Sequence, residues 1–243
     1  MLKRPSMQAG KSMHPPNRLS EHWYAIQERI AHACARVGRD PDTIRIVAVS
    51  KGVPVAQIEQ AWQMGQRDFG ENYWQEAREK IPQLPTDIRW HFIGHLQSNK
   101  VKYVTGRFRL IQSVDRLSLL QEIQKTVSKL GIIQPILIEV RLSEEATRAG
   151  APIEQVPDLV EHALQMPNVA LQGVMGLAPY TESVPCIRKA FQTLRRLYES
   201  LPESNRVWLS MGMSHDFEVA LEEGSNMLRI GTALFGERRR QGG

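Results

Sequence analysis

Lys51 closes the run IRIVAVSK at residues 44–51. The run is apolar and β-branched, as a buried strand is, and Gly52 and Pro54 signal a turn directly after it. An amine at the carboxyl end of such a strand is poorly hydrated. Poor hydration lowers its pKa and makes it a nucleophile toward aldehydes. The same segment also fits a lysine that snorkels outward and merely seals the strand end. The rest of the chain must supply a reason to prefer the chemistry.

A second group of residues lies far along the chain, in SMGMSHD (210–216) and RIGTALFG (229–236). Gly212 lets a backbone approach a ligand closely. Met213 and Ser214 fall at the expected start of a helix over 214–223, with Ser214 as its cap, where free N–H groups favour an anion. Gly231 and Thr232 add further N–H groups and a hydroxyl. A nucleophilic amine facing such a cradle suits an aldehyde that carries a phosphate. Pyridoxal 5'-phosphate is one such molecule, and a sugar phosphate held by a Schiff-base aldolase is another. Spacing alone leaves both open.

These residues need elements to hold them. Strand-like runs recur at 44–50, 68–73, 89–95, 109–114, 134–140, 170–177, 206–211 and 227–235. Helical patterns precede and separate them at 19–37, 54–64, 73–80, 97–104, 116–130, 154–166, 185–200 and 214–223. Eight alternating βα units in 243 residues predict a single (β/α)₈ barrel rather than an open sheet. In that fold functional residues sit at the carboxyl ends of strands, and the loops after strands 7 and 8 hold phosphate. Lys51, Glu71, Asn72, His91, His95 and Arg229 are then candidates, with the glycine-containing loops after the last two strands. The barrel is expected over 19–237, between a disordered basic arm at 1–18 and a basic flexible tail at 238–243.

Composition narrows the function classes. The net charge is +5, yet Lys3, Arg4, Lys11 and Arg18 supply four of those charges. The body is near neutral, which argues against a nucleic-acid footprint. No apolar run reaches the roughly 18 residues of a membrane span. Cys34 and Cys186 form neither a CxxC pattern nor a disulfide framework, so a cytoplasmic protein is expected. No metal motif occurs, and no metal is expected.

The segments AVSKGVP, RDFGENYWQEA, WHFIGHLQSNK and LSMGMSHDFEVALEEGSNMLRIGTALFG resemble the YggS/PROSC family of pyridoxal phosphate homeostasis proteins, from about residue 20 to 236. The resemblance implies a barrel similar to the amino-terminal domain of alanine racemase. It implies that Lys51 holds pyridoxal phosphate as a Schiff base. It places Ser210, Met213, Ser214, Gly231 and Thr232 around the phosphate, Arg229 at the pyridine nitrogen, and Asn72 and His91 along the cofactor face. An arginine cannot take up the ring's proton, so the ring nitrogen facing it stays unprotonated and the cofactor is a weak electron sink. The chain departs from the family pattern at Gly52 and Val53, where a threonine and a second lysine are common. It departs again at Arg148, where a lysine is common, and at His215, where an acid is usual.

The resemblance implies a protein that buffers pyridoxal phosphate or hands it to apoenzymes, without robust catalysis, and a monomer is expected. Racemisation needs a second acid/base, which alanine racemase takes from an additional β domain. Tyr73 and Tyr180 match no such role. A racemase of low activity and a Schiff-base aldolase stand as the alternatives.

Overall fold

The computed structural model describes residues 18–143 and 149–237. The expected arm, apart from Arg18, the expected tail and Arg148 lie outside the described residues.

Eight parallel strands close into a barrel in chain order: β1 (Arg45–Val49), β2 (Asp68–Glu71), β3 (Arg89–Phe92), β4 (Leu110–Val114), β5 (Gln134–Arg141), β6 (Val169–Leu177), β7 (Trp208–Ser210) and β8 (Met227–Ile230). Closure is made by β1 against β8, with Arg45 opposite Met227 and Ala48 opposite Ile230. The expected (β/α)₈ barrel is therefore the fold. Because strand residues alternate in direction, each strand serves two cores. Val47, Leu110, Leu137, Met175 and Met227 fill the barrel interior. Their neighbours, such as Ala48, Ile111, Ile136, Ile138 and Leu228, face the surrounding helices in a larger core.

The helices are α1 (Arg18–Arg36), α2 (Val55–Gln63), α3 (Trp74–Lys80), α4 (Val101–Val104), α5 (Leu117–Leu130), α6 (Val156–Leu164), α7 (Val184–Glu199), α8 (Phe217–Glu222) and α9 (Thr232–Phe235). Helix α1 places Leu19, Ile26, Ile30, Ala33 and Cys34 on its buried face and packs on α8 and α9. Burying each of those isoleucines contributes about 1.5–3 kcal/mol. Arg29 then ties the helix to Glu218 and lies 4.4 Å over the Phe217 ring. None of the helices among the described residues is long and apolar enough to cross a membrane.

Two expectations change at the end of the chain. The strand expected over 227–235 stops at Ile230, and Thr232–Phe235 turn into α9. Gly231 breaks the strand with φ −116° and ψ −81°, and the α9 N–H groups of Leu234 and Phe235 then return to its carbonyl. The helix expected over 214–223 begins only at Phe217, with Asp216 before its first turn. Ser214 is not its cap. The Ser214 hydroxyl instead crosses to the β8–α9 junction, where it accepts from the N–H groups of Gly231 (3.3 Å) and Ala233 (3.1 Å).

Candidate functional site at the carboxyl rim of the barrel

Lys51 follows β1 on the carboxyl rim, and the peptides on both sides of it are held by charged side chains. Lys80 of α3 is buried and directs its ammonium to the Ser50 carbonyl at 2.6 Å and to Glu71 Oε1 at 3.0 Å. Glu76, one turn earlier on the same helix, pairs with Lys80 and accepts from the Gly52 N–H. The Ser50 hydroxyl donates to Glu71 Oε1 at 2.7 Å. Glu71 has no exposed surface. Burial raises its pKa, and the Lys80 charge opposes that rise. The strand-end peptide carrying Lys51 is thus fixed from α3 and β2. The acid and base types in GENYWQEAREK are visible in sequence, but their common target at Ser50–Gly52 is not.

Asn72 follows β2 on the same rim. Its Oδ1 is buried with no hydrogen-bond partner among the described residues. Gly94 lets the loop after β3 close over it: a Cβ at Gly94 would lie 2.3 Å from the Asn72 carbonyl oxygen. A buried, unsatisfied side-chain acceptor costs about 1–3 kcal/mol, so a ligand group able to donate there would gain.

The loops after β7 and β8 meet at the rim. Gly212 has φ +98°, and a Cβ there would sit 2.7 Å from the Ala220 Cβ. This position admits glycine only, and it brings the β7 loop against α8. The Met213 N–H is engaged by Asp216 Oδ1 at 2.6 Å. Gly231 and Ala233 point their N–H groups at the Ser214 hydroxyl, and Thr232 lies between them, exposed. Burial raises the Asp216 pKa, with the Met213 N–H and the His215 charge opposing. His215 lies beside Asp216 and against the Tyr180 ring.

Arg229 projects into the barrel beneath this rim. Its Nη1 donates to Ser210 Oγ at 2.7 Å and its Nη2 to the Gly176 carbonyl at 2.8 Å. Burial pulls its pKa down to about 10, while Glu139 and Asp216 hold it up. It is therefore a cation at neutral pH. Ser210 does not join the phosphate loops as expected. Its hydroxyl accepts from Arg229 and donates to Gln112 Oε1 at 2.7 Å, so it positions the arginine.

The hydrogen bonds continue downward. Gln112 Nε2 donates to His91 Nδ1 at 3.1 Å, and His91 Nε2 donates to Asp68 Oδ1 at 3.0 Å. His91 is thereby set apart from the rim. It pairs in register with Gly70, two residues before Asn72, which is about 7 Å along a strand. It lines a cavity at the opposite, amino-terminal mouth. The expectation that His91 lies along the rim beside Asn72 is not met. Burial lowers the His91 pKa, so the ring is neutral at pH 7.

The structure thus brings Lys51, Asn72, Met213, Ser214, Gly231 and Thr232 to one rim, with Arg229 and Ser210 directly below and His91 at depth. Lys80, Glu76, Gln112, Asp68 and Glu139 were not singled out from sequence. Glu139 lies within the apolar run ILIEV of β5, almost wholly buried. Burial first, and then the Asp115 charge, push its pKa up to about 7, with Arg229 opposing. A lone acid in an apolar strand was the available signal. Among the described residues no group of three or more His, Cys, Asp or Glu is placed to hold a metal ion.

Comparison with known proteins adds the family. The alanine racemase N-terminal domain family matches residues 23–239. The pyridoxal phosphate homeostasis protein of Aquifex aeolicus is 45% identical over 218 residues, covering 88% of this chain and 96% of that protein. The structure of PipY from Synechococcus elongatus with pyridoxal phosphate bound superposes with a TM-score of 0.73 at 33% identity, over 87% of this chain and all of PipY. Alanine racemase from E. faecalis shares the fold, with a TM-score of 0.69 at 16% identity, over 88% of this chain and 58% of the racemase. From the family match and the near full-length likeness to curated relatives, the chain belongs to the pyridoxal phosphate homeostasis proteins, built on the alanine racemase N-terminal barrel.

Proposed function

We propose that this protein binds pyridoxal 5'-phosphate reversibly through a Schiff base on Lys51 and serves as a reservoir or donor of the cofactor. The observation that carries the reading is the convergence of Lys51 with the Ser214–Gly231–Thr232 loops on one rim of the barrel. The buried, unpartnered Asn72 Oδ1 beside Lys51 fits a ligand with a hydroxyl to donate. PipY, one-third identical to this chain, binds the same cofactor.

When bound, pyridoxal phosphate supplies an aldehyde for the amine and a ring that can accept electrons. The chain's own residues then have distinct roles. Lys51 provides the amine, and the Lys80–Glu76–Glu71 cluster fixes its peptide. The N–H groups of Gly231 and Ala233, which here converge on the Ser214 hydroxyl, would together with the Ser214 and Thr232 hydroxyls offer donors to phosphate oxygens. Arg229, fixed by Ser210 and Gly176, would present a cation to the ring nitrogen and so disfavour its protonation. That choice favours holding the cofactor over using it. His91 acts on the site only through Gln112 and Ser210.

Delivery to apoenzymes in place of turnover rests on the same arginine and on the rim tyrosines. Tyr73 and Tyr180 are 61% and 86% exposed, unlike an acid/base held against a substrate. The test is spectroscopic. The purified protein should absorb near ~420 nm, lose that band with borohydride, and lack it in Lys51→Ala. A protein that stays colourless after added pyridoxal phosphate would defeat the reading. Incubation with L-amino acids in deuterated water separates a racemase, because exchange at the α-carbon at ordinary enzyme rates would show turnover.

A further inference from the structure

We propose that the amino-terminal mouth of the barrel, opposite the cofactor rim, is a binding site for a small multivalent oxyanion. A cavity of about 240 Å³ opens there, between the starts of β1, β2, β3 and β4 on one side and β6 to β8 on the other. Three guanidiniums line it, from Arg45, Arg89 and Arg109, and they face one carboxylate, Asp68.

The usual explanation for charges at this end of a barrel is structural closure. Asp68 meets that description. It accepts Arg89 Nε at 2.9 Å and Nη2 at 2.7 Å, Arg45 Nη1 at 3.3 Å and His91 Nε2 at 3.0 Å. Those four bonds use the roughly four acceptor sites of a carboxylate. Closure is therefore complete with Arg89 and His91, assisted by Arg45. Nothing on Asp68 remains for Arg109, or for the Gln172 amide that also lines the cavity.

Neither the Arg109 nor the Gln172 side chain has a hydrogen-bond or ion-pair partner among the described residues. Asp87, whose charge also reaches Arg89, is committed to Arg67 at 2.8 Å and to the Trp62 indole at 2.7 Å. Three cations against one carboxylate leave an excess of two positive charges around a concave surface, and His91 adds no acceptor. The Arg109 guanidinium can only donate, and the Gln172 amide adds an NH2 donor beside its carbonyl. They match a ligand that only accepts, bears at least two negative charges, and presents planar or tetrahedral oxygens to guanidinium forks. Phosphate and small polycarboxylates share that chemistry. The Trp208 ring forms part of the cavity wall, its centroid 5.8 Å from the Arg45 guanidinium.

This inference concerns a different mouth of the barrel from the cofactor reading and stands independently of it. The test uses the full-length protein loaded with pyridoxal phosphate and reduced with borohydride, titrated calorimetrically with inorganic phosphate and separately with citrate. Saturable binding of one anion per chain is expected. Arg109→Ala, at an exposed side chain, should weaken it at least tenfold, while Thr232→Ala at the cofactor rim should leave it unchanged. The tighter of the two anions identifies the ligand as phosphoryl or carboxylate. Absence of saturable binding, equal affinity in Arg109→Ala, or loss in Thr232→Ala would overturn the proposal. If the protein takes up no cofactor, the same titration on the protein as isolated still reports on Arg109, so the two readings fail separately.

Discussion

The Lys80 ammonium lies 2.6 Å from the Ser50 carbonyl oxygen, one peptide before Lys51, and shares Glu71 with the Ser50 hydroxyl. Two lysines therefore share one backbone segment, with the Lys80 ammonium anchoring the peptide that leads into Lys51, the residue proposed to take the aldehyde.

Replacing Lys80 should damage both stability and cofactor retention. Lys80→Met leaves Glu71 buried without its cation, which costs about 3–5 kcal/mol for a broken buried pair. Combining it with Glu71→Gln should recover part of that loss, because the uncompensated charge is gone. Denaturant unfolding checks the stabilities. The rate of pyridoxal phosphate loss on dilution should rise in the single variant. Equal stability of Lys80→Met and the unaltered protein would show that the cluster does not act as a clamp.

Ser210→Ala removes the acceptor of Arg229 Nη1 and the donor to Gln112 in one step. Both partners are buried, so the cost is about 1–3 kcal/mol. If Arg229 meets the cofactor ring as proposed, the cofactor dissociation constant should rise and the absorption band should shift, since one of the two bonds that fix the guanidinium is lost. An unmoved band together with an unchanged dissociation constant would argue against positioning by Ser210.

Glu139 predicts a pH effect of definite sign. Its folded pKa is raised from 4.5 to about 7, so the folded state holds the proton more tightly than the unfolded chain. The stability from this group is fully present below pH 4.5 and is lost as pH rises through 7. The loss is about 3 kcal/mol at full ionisation. Glu139→Gln should therefore be more stable than the unaltered protein at pH 8 and no more stable at pH 4. Unfolding curves at the two pH values, without added cofactor, make the comparison.

Asp68 acts in the opposite sense. His91 and Arg89 hold its pKa at about 2, below its ordinary 3.8, against the effect of burial. Its contribution is present above pH 3.8 and disappears as pH falls through 2, about 2 kcal/mol in all. In Asp68→Asn the acid-induced fall in stability between pH 4 and 2 should be shallower by that amount. A slope equal to that of the unaltered protein would show that Asp68 is not held by the arginines in solution.

The alternation of apolar strands and amphipathic helices determined the barrel, because each period states which face must be buried. The same reading put Lys51 and the β7 and β8 loops at the carboxyl rim, since strand order in a barrel follows chain order. It placed Ser214 wrongly as the cap of α8, because Ser214 and the N–H groups it accepts from are separated by seventeen or more residues. It also put His91 on the rim, although a histidine within a strand carries no mark of its depth. Depth is set by register, and register comes from pairing with Gly70 and Leu110. The Lys80 clamp and the chain from Arg229 to Asp68 were beyond the sequence for the same reason. Each joins side chains from several strands and helices through a shared interior. By itself the sequence determined which residues could do the chemistry; only tertiary packing decided which of them meet, because hydrogen bonds act over about 3 Å in space, whatever the separation along the chain.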